Sequence, residues 1–179
     1  LDLIIYTNYQ FLDDDGGDFF EISLKELQEE CLININVYTI CTYAIYATYQ
    51  SSPKSLRAKN IYDYFKNGNF RNVSVEDAFK LGTEILTELD DFFKSWINLL
   101  IDKKDSIAYR LLKEALVYSN FNNYEKYIKA FAVNHPKIYL DIFDYLVKEE
   151  RIDEVIRVCN LALSYLDKNL TIRNDILLF

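Results

Sequence analysis

The sequence predicts an all-α fold, an irregular N-terminal layer of helices followed by a stack of helical hairpins. Three observations predict it. Only 4 Gly and 2 Pro occur, too few turn residues for a β-sandwich or barrel. Apolar side chains recur at steps of three and four over long windows, the spacing of one helix face. The predicted helices of the C-terminal third are joined by short loops, which makes neighbours run antiparallel. Half of the 179 residues are apolar and 16 % are aromatic, enough to offset chain entropy by burial and exclude disorder.

Residues 1–12 are apolar and read as the tail of a helix. Residues 13–18, Asp-Asp-Asp-Gly-Gly-Asp, form an acidic glycine turn. With Gly16 at the invariant glycine of an EF-hand loop, Phe11 takes the first ligand position and Ile22 that of the bidentate glutamate. That spacing fails the EF-hand loop, so a solvated turn ahead of a helix is the stronger reading and weak calcium binding the lesser one. Ser23 and Glu26 make a capping box. The helix it opens reads through about Gln50, with Leu24, Leu27, Cys31, Ile35, Tyr38, Cys41 and Ile45 on its buried face. Residues 31–53 carry no charge and are long enough to span a bilayer, but Asn34, Asn36 and Gln50 would be costly there. A helix buried on most sides fits the same pattern.

Pro53 restarts the chain in a first helical turn. Leu56, Ile61, Tyr64 and Phe65 give a short amphipathic helix that stops at Asn67-Gly68-Asn69. Ser74, followed by Glu76 and Asp77, opens a helix whose face carries Ala78, Leu81, Ile85, Leu89, Phe92, Phe93, Trp96 and Leu100. Gly82 inside it costs about 1 kcal/mol against Ala, or permits close packing. Further helices are predicted over 105–119, 124–134, 137–149, 153–167 and from 171 onward. At an offset of 28, residues 124–128 match 152–156, Leu112 falls on Leu140 and Phe131 on Cys159, the mark of a helix–turn–helix solenoid. The organisation expected is a helical layer over 1–101 and helical repeats over 102–179, in one continuous domain. The apolar run Ile176-Leu177-Leu178-Phe179 is a poor natural stop, so more chain is expected beyond it.

Residues 136–169 resemble a tetratricopeptide unit, a helical hairpin of about 34 residues. Tyr139, Ile142, Leu146, Ile152, Asp153-Glu154, Cys159, Ala162 and Leu166 stand at its packing positions, while Phe143 and Val155 replace the small residues it prefers. Over 107–179, the runs Leu112-Lys113-Glu114-Ala115, Tyr124-Glu125, His135-Pro136-Lys137-Ile138-Tyr139-Leu140 and Leu170-Thr171-Ile172-Arg173 are similar to the helical region that accompanies SWIM-type zinc fingers in bacterial proteins. That finger is credited with nucleic-acid or protein binding. Its CxC and CxH signature is absent, so the resemblance implies the helical scaffold alone and no zinc ligand.

No catalytic, cofactor-binding or metal-ligating residue is expected. Cys31, Cys41 and Cys159 form no CxxC pair and read as buried thiols of a cytoplasmic protein. His135, the only histidine, lies between two predicted helices and reads as a packing or capping side chain. Neither a phosphate loop nor a nucleophile elbow occurs. Asp90-Asp91 and Glu149-Glu150 are neighbours on helices, diverging by about 100°. The expected function is a non-enzymatic helical scaffold for protein–protein interaction, with no membrane partner. Its candidate contacts are Tyr109, Tyr118, Tyr124, Tyr127, Tyr139 and Tyr145, because tyrosine offers an interface one apolar and one polar end. The alternative is regulatory nucleic-acid binding through 53–72. There Lys54, Arg57, Lys59, Lys66 and Arg71 are interleaved with Tyr62, Tyr64, Phe65 and Phe70, as charge and stacking on single strands require. Nucleic acid is the weaker expectation, since the net charge is -8 and the chain outside this segment repels phosphate.

Overall fold

The structure, a computed structural model, describes residues 9–12, 19–82, 86–119, 124–168 and 171–178. The all-α expectation holds, with ten α-helices among the described residues and one short hairpin. The chain divides into two compact units, residues 1–88 and 89–179. Sequence reading draws its line at 101/102. The helix over 89–101 packs on the one over 106–118, which places it with the second unit.

In the first unit, β1 (Tyr9–Leu12) and β2 (Phe19–Ile22) pair antiparallel, with Tyr9 opposite Ile22 and Leu12 opposite Phe19. The helix tail read over 1–12 is therefore a strand at 9–12; four residues are too few to show a helical period. The acidic turn at 13–18 lies outside the described residues.

Helix α1 (Leu24–Glu29) opens on the capping box: the Ser23 hydroxyl accepts the Glu26 N–H at 3.2 Å, and the Glu26 carboxylate accepts the Ser23 N–H at 2.7 Å. Those bonds with Ser23 hold the Glu26 carboxyl below the usual range. The helix then stops. Cys31 takes φ 58°, its N–H donates to the Gln28 carbonyl at 3.1 Å, and the Leu32 N–H donates to the Leu27 carbonyl at 2.9 Å. This is a Schellman turn with cysteine where glycine is usual. Asn36 caps the next helix, α2 (Val37–Ser51), by accepting the Thr39 N–H at 2.9 Å. One predicted helix is two. The break shifts the register, so Cys31, Ile35 and Tyr38 are exposed, while Leu24, Leu27, Cys41 and Ile45 stay in the core. Helix α2 is also buried along one side rather than most, with Thr39, Tyr43 and Ala47 facing solvent.

Helix α3 (Arg57–Tyr64), a 3-10 turn (Gly68–Phe70) and α4 (Val75–Phe79) all pack on α2. Tyr64 stacks on Phe70 with ring centres 4.9 Å apart, and Phe65 meets the same ring edge-on at 6.1 Å. Leu56, expected on the buried face, is exposed. The helix predicted from Ser74 to Leu100 ends at Phe79. Residues 86–88 are drawn back onto this layer instead. The Tyr49 hydroxyl donates to the Thr87 carbonyl at 2.6 Å, and Glu88, at φ 67°, pairs with Lys54 and with Arg57 at 3.1 Å. Gly82 is therefore not a helical glycine. A Cβ there would overlap the Tyr46 hydroxyl oxygen, so its role is close approach.

The second unit follows the sequence expectation closely. It holds α5 (Leu89–Ile101), α6 (Ser106–Tyr118), a 3-10 turn (Tyr124–Tyr127), α7 (Ile128–Asn134), α8 (Ile138–Lys148), α9 (Ile152–Tyr165) and α10 (Thr171–Leu178). Most helices touch the next but one as well as a neighbour: α5 packs on α6 and α7, α6 on α8, and α9 on α7, α8 and α10. Trp96, stacked on Phe92 at 5.8 Å, and Phe131, Tyr139 and Phe143 fill the interior. The 28-residue offset is met only in part. Leu112 and Phe131 are fully buried, whereas their counterparts Leu140 and Cys159 are half-buried.

Candidate functional site

The six tyrosines separate by burial. Tyr139 is a core side chain at 0 % exposure, and its hydroxyl donates to the Ile128 carbonyl. Tyr127 is buried too, its ring 6.0 Å from that of Phe131. Neither can meet a partner, and both correct the expectation that placed them at an interface. The half-buried Tyr109 donates from its hydroxyl to the Asp141 carboxylate, which also takes Lys113 at 2.7 Å, tying α6 to α8. Burial, with the carboxylate beside it, pushes the Tyr109 phenol upward. The Tyr124 side chain lies outside the described residues. Tyr118, stacked on Phe93 at 4.3 Å, and half-buried Tyr145 remain on the surface.

Three of the five cations of the basic segment are held by two carboxylates. Lys54 and Arg57 converge on Glu88, whose carboxyl they hold below its usual range, and Lys66 pairs with Asp63 at 2.5 Å. Arg57 also donates to the Ser52 carbonyl at 3.2 Å and lies 4.5 Å above the Tyr49 ring. Lys59 and Arg71 remain exposed without an ion pair among the described residues. Tyr64, Phe65 and Phe70 are buried and Tyr62 is half-buried, so stacking platforms beside the cations are few. A groove of about 550 Å³ lies beside this segment, lined by Ser23, Lys25, Glu29, Lys66, Asn67 and Arg71 among others. Two of its cations are already paired, Lys25 with Glu29 at 3.2 Å and Lys66 with Asp63.

His135 closes α7, is 4 % exposed, and sets Nε2 3.1 Å from the Leu100 carbonyl. A carbonyl oxygen can only accept, so Nε2 carries the proton and the ring joins α7 to the end of α5. Asn134 supports the same junction by donating to the Ile101 carbonyl at 2.8 Å. The three cysteines are free thiols, but only Cys41 is buried; Cys31 is exposed and Cys159 half-buried. Among the described residues no group of three or more His, Cys, Asp or Glu is placed to hold a metal ion. No helix among them is long and apolar enough to cross a membrane.

Sequence reasoning missed the surface of α9 and α10. Helix α9 buries Val158 and Ala162 and exposes Ile152, Ile156 and Tyr165 at 51 %, 57 % and 49 %. Helix α10 buries Ile172 and Ile176 and leaves Leu177 60 % exposed. The Cys159 thiol donates to the Ile176 carbonyl at 3.7 Å, and Arg173 donates to the Leu163 carbonyl at 2.5 Å. Those two contacts show α10 running antiparallel along the C-terminal half of α9. Ile152 and Ile156, in the first turns of α9, have no helix over them among the described residues. Helical periodicity places Ile152 and Ile156 on an apolar side, but nothing in the sequence says that their neighbour stops short.

Compared with family models, curated proteins and solved structures, the chain matches none of them.

Proposed function

We propose that this protein is a non-enzymatic helical scaffold that holds another protein through the apolar surface of α9 and α10. The observation that carries this reading is the exposure of Ile152, Ile156, Tyr165 and Leu177 on two packed helices that also supply core residues. Burying the exposed part of each isoleucine would return about 1 kcal/mol, a driving force that water leaves unused in the isolated chain. Tyr118 and Tyr145 are the surface tyrosines that extend the reading to α6 and α8. The next-but-one packing of α5 to α9 supports a tetratricopeptide-like stack, and the likeness over 107–179 to the helical region beside SWIM-type fingers is in keeping with an interaction role. A cytoplasmic setting, in which Cys31 stays a thiol, belongs to the same reading. Nucleic-acid binding through 53–72 is less well supported, because Lys54, Arg57 and Lys66 are committed to carboxylates.

The test is partner recovery from cells of the source organism with the full-length protein, compared with an Ile156→Asp, Leu177→Asp variant. Both residues are more than half exposed, so the variant keeps its helical signal. A partner retained by the parent under nuclease and lost from the variant supports the reading. A set of bound proteins identical for the two refutes it.

A further inference from the structure

We infer that the exposed side of α9 at Ile152 and Ile156 seats an amphipathic helix of a partner protein, apolar on one face and flanked by Lys or Arg. This inference rests on the interaction reading above and names the chemistry of the partner. It has two supports, the continuity of an existing helix–helix seam and the charge around its open end.

Ile152, Ile156, Cys159 and Leu163 fall within an arc of about 60° on α9, counting about 100° per residue. They form one apolar line along the helix. Its C-terminal half is already a seam: α10 lies over Cys159 and Leu163, held by the Cys159 bond to the Ile176 carbonyl and the Arg173 bond to the Leu163 carbonyl. Its N-terminal half, Ile152 and Ile156, has the same chemistry and no helix over it among the described residues. A surface that packs one helix along half its length presents the same ridge to a second helix along the rest. Recognition of this kind reads apolar residues at steps of three and four.

Charge selects which helix fits. Glu149, Glu150 and Asp153 are exposed around the start of α9, and their carboxylates form no ion pair among the described residues. The arginines here are committed: Arg151 grips both oxygens of Glu154 at 2.7 Å, and Arg157 pairs with Glu125 at 2.6 Å. Lys148 is the one cation of residues 148–157 outside those pairs. The open end of the seam therefore has an acidic margin. It favours a basic flank on the incoming helix and opposes an acidic one.

The experiment uses the full chain and two labelled synthetic peptides of about 18 residues, one an amphipathic Leu/Lys helix and the other its Leu/Glu counterpart. Binding is followed by fluorescence anisotropy in buffer of physiological salt. Saturable one-to-one binding of the Leu/Lys peptide is expected, weakened about tenfold or more by Ile156→Asp and absent for the Leu/Glu peptide. Ile156→Asp is chosen because it adds negative charge: attraction to an acidic surface alone would leave binding unchanged or strengthen it. Unchanged or tighter binding by that variant overturns the inference, as does equal binding of the two peptides or no saturable binding. If the Leu/Lys peptide fails while the native partner is still lost from the Ile156→Asp, Leu177→Asp variant, this inference falls and the interaction reading stands. If neither variant changes anything, both fall.

Discussion

Glu150 ends α8 in the left-handed region at φ 57°, and its N–H donates to the Val147 carbonyl at 3.0 Å while the Arg151 N–H donates to the Leu146 carbonyl at 2.9 Å. Cys31 does the same for α1 at φ 58°. Both are Schellman turns whose left-handed position is filled by a residue with a Cβ, at a cost of about 1–2 kcal/mol in backbone energy. Glycine removes that cost but adds freedom to the unfolded chain, so the net gain is smaller. Glu150→Gly is expected to stabilise the protein by about 0.5–1 kcal/mol, read as a rise in denaturant midpoint at constant slope. Glu150→Val should lower the midpoint, because a β-branched side chain fits that region worst. An unchanged midpoint for the glycine variant would mean that the turn carries no strain worth relieving. Gly82 obeys the opposite logic: its missing Cβ makes room for Tyr46, and no positive φ is involved.

At the scale of elements, the helices of the second unit, with regular apolar spacing and short loops between them, are readable from sequence, whereas those opened by the Ser23 and Ser74 caps read too long. Helix α6 is the clearest: Asp105 accepts the Ala108 N–H at 2.8 Å, and Ala108, Leu111, Leu112, Ala115 and Leu116 follow in the core. Asp105→Ala should cost about 1 kcal/mol, with loss of amide-exchange protection concentrated in the first turn of α6. Uniform loss along the whole helix would show that the cap is not the local fastening. The breaks were the unreadable part. At 30–36 no glycine or proline marks the stop, because Cys31 takes the glycine position and Asn36, an ordinary polar residue in a helical reading, is the next cap. The helix opened at Ser74 stops at Phe79, and residues 86–88 are held by Tyr49, Lys54 and Arg57, all distant in sequence. No local pattern carries that information. The candidate site was legible in the same uneven way. Tyrosine content pointed to an interface, but Tyr127 and Tyr139 went to the core. The exposed line on α9 depends on where α10 stops.

Over the whole molecule, buried groups that ionise in alkali set the response to pH. Burial pushes the Cys41 thiol from 9.0 up to about 11. It also raises the phenols of Tyr109 and Tyr139 above 10.0, and Asp141 adds to the effect at Tyr109. Each of these groups is neutral when protonated, and the folded protein holds the proton more tightly than the unfolded chain. Their contribution to stability is therefore complete below the unfolded values and is lost as pH rises through the folded ones. Cys41 alone accounts for a loss on the order of 2 kcal/mol across the window from 9.0 to about 11, since a tenfold difference in proton affinity between the two states is worth about 1.4 kcal/mol. The tyrosines act only above 10.0. The thermal midpoint should thus begin to fall near pH 9 and fall faster past pH 10. A Cys41→Ala variant starts lower, because it leaves a cavity in the core of the first unit, but should lose less between pH 9 and 11 than the parent does. The two melting curves would run parallel in that window if the thiol were not the titrating group. Glu26 and Glu88 act at the other end. Their folded values lie below the unfolded ones, so what they contribute is present above the usual carboxylate range and lost as pH falls through it. The same molecule is loosened by acid at two surface fastenings of the first unit and by alkali at buried groups in both.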